Sequence, residues 1–292
     1  MDGRQSKSVG RLWLEALRRR WSLRLAAGES KRQLAWLMLR WLCLYPRQTQ
    51  WLRAVDDCAA MRQAALNDPR LYERWHRPCI SPRFDAAARR RIVASHYAFV
   101  QRHLPARMRN RVLHGQDVRV ATLRLDGEAP VSLHLRKPAR AESGELALLL
   151  LTGDKTVLAS CALTFAGDEG LLVASMPSPA PRADEATQRA FLRGSHGLQP
   201  RELLHVLARE LATLHQLACV HVTPSRPGRA ACGHDAMPSP AQAFCHDACS
   251  TFLAAFHGSA RRPPPSRARS AEPLPGGRQP AALDCRLLAT NP

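Results

Sequence analysis

The sequence predicts an α+β protein: an N-terminal helical region, a mostly antiparallel meander sheet with one helical crossover, and a disordered C-terminal tail. Three patterns carry that expectation. Apolar residues recur at three- and four-residue spacing as far as Leu113, and at two-residue spacing from Gln116 onward. Between Leu171 and Val222 a β-rich run, a proline-rich loop, one or two helices and a second β-rich run follow one another. A strand, a helix and a strand of one sheet join in parallel and right-handed order.

Taken in order, residues 10–66 read as two or three amphipathic helices that hold Trp13, Trp21, Trp36, Trp41 and Trp51. Residues 67–80 read as a connection. Ser81-Pro82 opens a helix that runs through Ala86–His103, with Ser81 as the expected N-cap. His96 and Tyr97 fall in the middle of that helix, and a buried, hydrogen-bonded His96 is expected. A short helix over residues 107–113 stops at Gly115, which suits a C-terminal cap.

Strands are expected over Val118–Leu125, residues 131–136, residues 145–151, Val157–Phe165 and residues 171–176. Their separators, Asp126-Gly127, Gly144, Gly153-Asp154 and Gly167-Asp168-Glu169-Gly170, carry turn chemistry. Val131, Leu133 and Leu135 alternate with Ser132, His134 and Arg136, giving one apolar and one polar face. Leu146–Leu151 is apolar throughout, as befits a central strand covered on both sides. Pro200 then starts a helix whose Leu203, Leu204, Leu207, Leu211 and Leu214 form a core-facing stripe. A last helix is expected over residues 241–256. Eleven of the 22 prolines lie in residues 224–292 and no apolar period survives beyond Gly258, so a disordered tail is expected there. The expected division is a basic Trp-rich helical region (1–66), an α+β domain (67–258) and the Arg/Pro-rich tail (259–292).

The net charge of +19 is unevenly spread. Residues 1–112 carry 24 basic and 8 acidic side chains, a net of +16, whereas residues 113–258 carry 13 and 14, a net of −1. An anionic membrane surface or an acidic protein partner therefore suits the N-terminal helices, whose tryptophans lie beside Arg18-Arg19-Arg20, Lys31-Arg32 and Arg40. The competing expectation is that those tryptophans fill a helical core. Nucleic acid is not favoured, because no reading motif accompanies the charge, although nonspecific phosphate contact needs none. Nine cysteines form no paired framework, and Cys43, Cys58, Cys79, Cys161 and Cys219 read as small buried residues. With no secretory signal pattern and no span long enough to cross a bilayer, the expected place is the cytoplasm, with peripheral contact at the inner membrane.

No catalytic signature stands out. The meander and crossover resemble the GNAT type of acyltransferase, yet residues 177–181, at its cofactor loop, contain no glycine and three prolines. Such a loop offers too few backbone N–H groups for a pyrophosphate, so no cofactor is expected. Cys232, His234, Cys245, His246 and Cys249 have poor spacing for zinc, and no metal is expected. The histidines placed nearest a cleft are His134, on the polar face of its strand, and His196, before the helix break. Both are candidate catalytic residues, each with a structural role as the competing expectation.

Residues 70–225 resemble the VirK/YbjX family of bacterial proteins. The resemblance is carried by His76-Arg77-Pro78, Ser81-Pro82, His96-Tyr97 and the run from His196 to Leu204, with Ala208-Arg209-Glu210-Leu211-Ala212 after it. It implies an accessory protein of virulence or cell-envelope integrity, with no activity that transfers residue by residue. Two alternatives remain: a GNAT-like acyltransferase using acyl carrier protein or another non-standard donor, and a nonspecific nucleic-acid binder.

Overall fold

A computed structural model describes residues 7–26, 28, 30–76, 84–138, 144–175, 183–222 and 239–257. Helices α1 (Val9–Ala26), α2 (Lys31–Cys43), α3 (Tyr45–Asp57) and α4 (Ala59–Asn67) open the chain. Trp41, Trp51 and Trp75 are buried, and Trp13 meets the edge of Trp41 at 5.7 Å. These rings do fill a helical core, while Trp21 and Trp36 stay exposed.

The stretch expected to be a mere connection is a 3-10 helix, Pro69–His76, buried from Leu71 to His76. Two of its middle carbonyls find partners in α3: Gln48 Nε2 donates to Tyr72 O at 2.9 Å and Trp51 Nε1 to Leu71 O at 3.0 Å. Those bonds fasten the buried 3-10 helix to α3 through its backbone.

Helix α5 (Ala86–His103) begins at Asp85, whose carboxylate accepts from the Ala88 N–H at 2.6 Å. The expected cap at Ser81 is thus corrected; Asp85 is the N-cap and accepts from the third helical residue. Ser81 and Pro82 lie outside the described residues. Helix α6 (Ala106–Leu113) follows and stops before Gly115, at φ 74°.

The sheet contains β1 (Val118–Leu125), β2 (Glu128–Arg136), β3 (Leu146–Leu151), β4 (Val157–Phe165), β5 (Leu171–Ser175) and β6 (Cys219–Val222), in sequential order. All neighbours pair antiparallel except β5 and β6, which run parallel from Leu171↔Cys219 to Ala174↔Val222. Helices α7 (Glu185–Gly194) and α8 (Pro200–Leu214) make the crossover. The Gln199 N–H donates to Glu202 Oε2 at 3.1 Å, and Pro200 occupies the first helical position, so α8 starts where the Gly197 break allows.

Helix α8 packs on β3 and β4, and α9 (Ser239–His257) packs on α8 and β1. The main core runs unbroken from Leu12 of α1 to Phe256 of α9, taking Leu133, Leu148, Leu163 and Val173 from one sheet face. Ala147, Leu149, Leu151 and Ala162 form a smaller cluster on the other face, so β3 is buried on both sides. Of the cysteines expected to be buried, Cys161 is; Cys58 and Cys219 are half-buried, and Cys43 is exposed at the end of α2. Cys79, Met176, residues 177–181, Cys232, His234 and the expected tail at 259–292 lie outside the described residues.

Candidate functional site

His134 lies in β2, opposite Arg119 of β1 and Leu149 of β3. It helps line a cleft of about 670 Å³ on the second face of the sheet. Four cations, Arg111, Arg119, Arg136 and Lys155, share that cleft with one carboxylate, Asp117, while Leu151 and Val157 give it an apolar floor.

Local structure aims these groups. A register shift in β1 between Arg119 and Ala121 lets Val118 and Ala121 both face the core. Arg119 is left pointing out, which is how a bulge re-aims a side chain. Lys155 sits in the β3–β4 turn at φ 67°, its N–H bonded to Thr152 O at 3.0 Å. His134 Nε2 lies 3.1 Å from Ser132 Oγ, and its buried Nδ1 meets no partner. Burial pushes the His134 pKa below its ordinary value; Asp117 opposes that shift, and Arg119, Arg136 and Lys155 reinforce it. The ring is therefore neutral near pH 7. Arg136 stands 3.9 Å from Asp117 Oδ2 and Arg111 donates to the Asp117 carbonyl at 2.8 Å. Among the described residues, no acceptor engages the side chains of Arg119 or Lys155.

His196 is elsewhere. It occupies the turn between α7 and α8 at φ 56°, exposed, with Nε2 4.0 Å from Asp126 Oδ2. Asp126 belongs to the β1–β2 turn, about 20 Å along β2 from His134 at ~3.3 Å per residue. The two candidate histidines therefore do not share one site. Cys245 and Cys249 are buried together on α9, and no group of three His, Cys, Asp or Glu among the described residues is arranged to hold a metal ion.

A second feature belongs to the N-terminal helices. Ala35, Trp36, Leu39, Leu42 and Cys43 recur at helical spacing on α2, and all are exposed; Trp36, Leu39 and Leu42 are 60%, 59% and 62% accessible. On α1, Arg11, Leu14, Arg18, Trp21 and Leu25 likewise share one exposed face. The Arg40 guanidinium lies 5.2 Å from the Trp36 ring centroid. Apolar stripes of that size normally face a core, and these do not.

A buried polar network joins the 3-10 helix to the sheet. Arg74 of the 3-10 helix donates to Glu145 Oε1 at 2.5 Å and to the Gly144 carbonyl at 2.7 Å. Tyr97 donates to Glu145 Oε2 at 3.2 Å, and Asp68 binds Lys137 nearby. Burial raises the Tyr97 pKa well above normal, with the Glu145 charge adding to it, so Tyr97 remains a donor. A cavity of about 220 Å³ touches this network. The only sequence signal was Trp75-His76 beside an Arg-Glu pair, which spacing alone does not link to a residue 71 positions away.

No curated protein and no solved structure matches the chain. A family described as "Protein of unknown function (DUF535)" matches residues 27–227, which contain the cleft, the whole sheet and the crossover. About two-thirds of the sequence is covered, and the chain belongs to this family.

Proposed function

We propose that this protein works at an anionic membrane surface, as an accessory factor of cell-envelope integrity of the VirK/YbjX kind. The supporting observations are the exposed α2 stripe of Trp36, Leu39 and Leu42 and an exposed α1 face that bears Arg11 and Arg18. Full burial of each large side chain contributes about 2 kcal/mol, so three that are partly exposed offer roughly 4 kcal/mol. That alone corresponds to a Kd near 1 mM. Each arginine close to an anionic surface adds about 1 kcal/mol. Arg11 and Arg18 of α1, Arg32 of α2 and Arg47 of α3 are all exposed, and four such contacts would bring attachment to the micromolar range. Neither term suffices alone, so binding should need both signals. Among the described residues no helix is long and apolar enough to cross a membrane.

Co-sedimentation with vesicles tests this. The full chain should pellet with vesicles rich in phosphatidylserine at low salt and release as salt rises. The pair Leu39→Ser and Leu42→Ser should weaken attachment by at least tenfold. Failure to pellet at low salt, or indifference to both substitutions, removes the reading. A rival rests on topology: a meander whose last strand returns parallel after a helical crossover also suits an acyltransferase. Capture of acyl carrier protein by the full chain, blocked by salt, would favour that version.

A further inference from the structure

We propose that the cleft on the second face of the sheet is a binding site for a phosphate-bearing ligand. This rests on the cleft alone and not on membrane attachment. Like charges brought together repel, so a cluster of cations favours an anion between them. Arg19, Arg189 and Arg193 on the surface each have a carboxylate of their own, Glu15 at 3.1 Å, Glu185 at 2.5 Å and Glu128 at 2.8 Å. In the cleft, four cations surround one carboxylate, and Arg119 and Lys155 keep their donors free of any acceptor among the described residues.

The backbone supports the same assignment. Lys155 holds φ 67°, a conformation that glycine or asparagine adopts at lower cost, yet the residue there carries an ammonium group to the cleft. Arginine forks suit the flat faces of a phosphate group and lysine supplies a point charge, so this set fits a dianion better than a single carboxylate. The unpartnered His134 Nδ1 adds one more polar group. The apolar floor of Leu151 and Val157 would accept the organic part of a phosphate monoester, and about 670 Å³ is within the usual size of a small-molecule site.

Calorimetric titration of the full chain with pyrophosphate in low salt tests the site. The wild type should bind one equivalent. Arg119→Gln and Lys155→Gly should each weaken binding at least tenfold, and Lys155→Gly should leave Tm unchanged or raised, because glycine relieves the turn. Arg102→Gln, on the exposed side of α5, should bind as the wild type does. So should Trp36→Ser with Leu39→Ser, which separates this site from vesicle attachment. Absence of binding heat, or an equal loss in Arg102→Gln, overturns the proposal. Displacement of pyrophosphate by glycerol 3-phosphate would identify a soluble phosphate ligand, and displacement only by phosphatidic acid vesicles a lipid headgroup; either supports the site.

Discussion

His96 shows what one residue fixes. Its Nδ1 accepts from the Phe165 N–H at 3.2 Å, so the ring is neutral with its proton on Nε2, stacked on Phe165 at 5.7 Å between centroids. Burial lowers its pKa to about 4, with Glu145 pulling upward and Arg74 pushing further down. The unfolded chain takes up this proton near pH 6.5 and the folded chain only near 4, so acid favours unfolding. Stability should be intact above pH 6.5 and fall by about 3 kcal/mol as pH drops to 4, at roughly 1.4 kcal/mol per unit. Urea midpoints across that range check this, and His96→Gln, which keeps an acceptor that does not titrate, should show a shallower acid limb. Equal limbs in both proteins would discard the assignment. The apolar side of its helix announced a buried His96, but Phe165, 69 residues away, was not readable. The same holds for Arg119 and Lys155: alternation put His134 on a polar face, whereas a bulge and a left-handed turn residue, which aim its neighbours, leave no period in the sequence.

At the level of elements, strand order was legible because short Gly and Asp turns leave a meander few other pairings, and because a helix between strands enforces a parallel return. The 3-10 helix was not, since eight residues of poor periodicity resemble a loop until α3 donates to them. Gly170 shows where the crossover closes. At φ 88° it sits so near the returning strand that an added Cβ would lie 2.2 Å from the Ala218 carbonyl oxygen. That oxygen accepts from the Leu171 N–H at 2.7 Å, the bond that begins the β5–β6 pairing. Gly170→Ala therefore meets backbone that cannot rotate aside, and it should cost about 3 kcal/mol from overpacking plus left-handed strain. Gly115, at φ 74°, has nothing within 4 Å of a new Cβ, so Gly115→Ala should cost only the strain, about 1 kcal/mol. Equal denaturation midpoints for the two variants would show that Gly170 does not hold the edge of the sheet.

The whole molecule turns on two adjacent residues that point apart. Glu73 receives Arg20 at 2.5 Å and Arg24 at 3.5 Å from α1, while Arg74 reaches the sheet through Glu145 and Gly144. The N-terminal helices and the sheet are thus tied through one buried turn, inside a core cluster that has no break between them. Pairs separated by 49 to 71 positions carry no mark in one sequence, which is why the charge pattern showed a basic half and a neutral half but not their junction. A joint of this kind should make unfolding cooperative: a single calorimetric transition, with calorimetric and van't Hoff enthalpies equal. Glu145→Gln takes a buried carboxylate away from the Arg74 guanidinium and should cost about 3–5 kcal/mol, moving that single transition down without splitting it. Replacing both partners, Arg74→Met with Glu145→Leu, should recover most of the loss, because the guanidinium leaves together with its carboxylate. Should Glu145→Gln instead separate the melt into two steps, with the tryptophan fluorescence of α1 to α4 unchanged in the first, the helices would be an autonomous unit and the buried turn only a contact between neighbours.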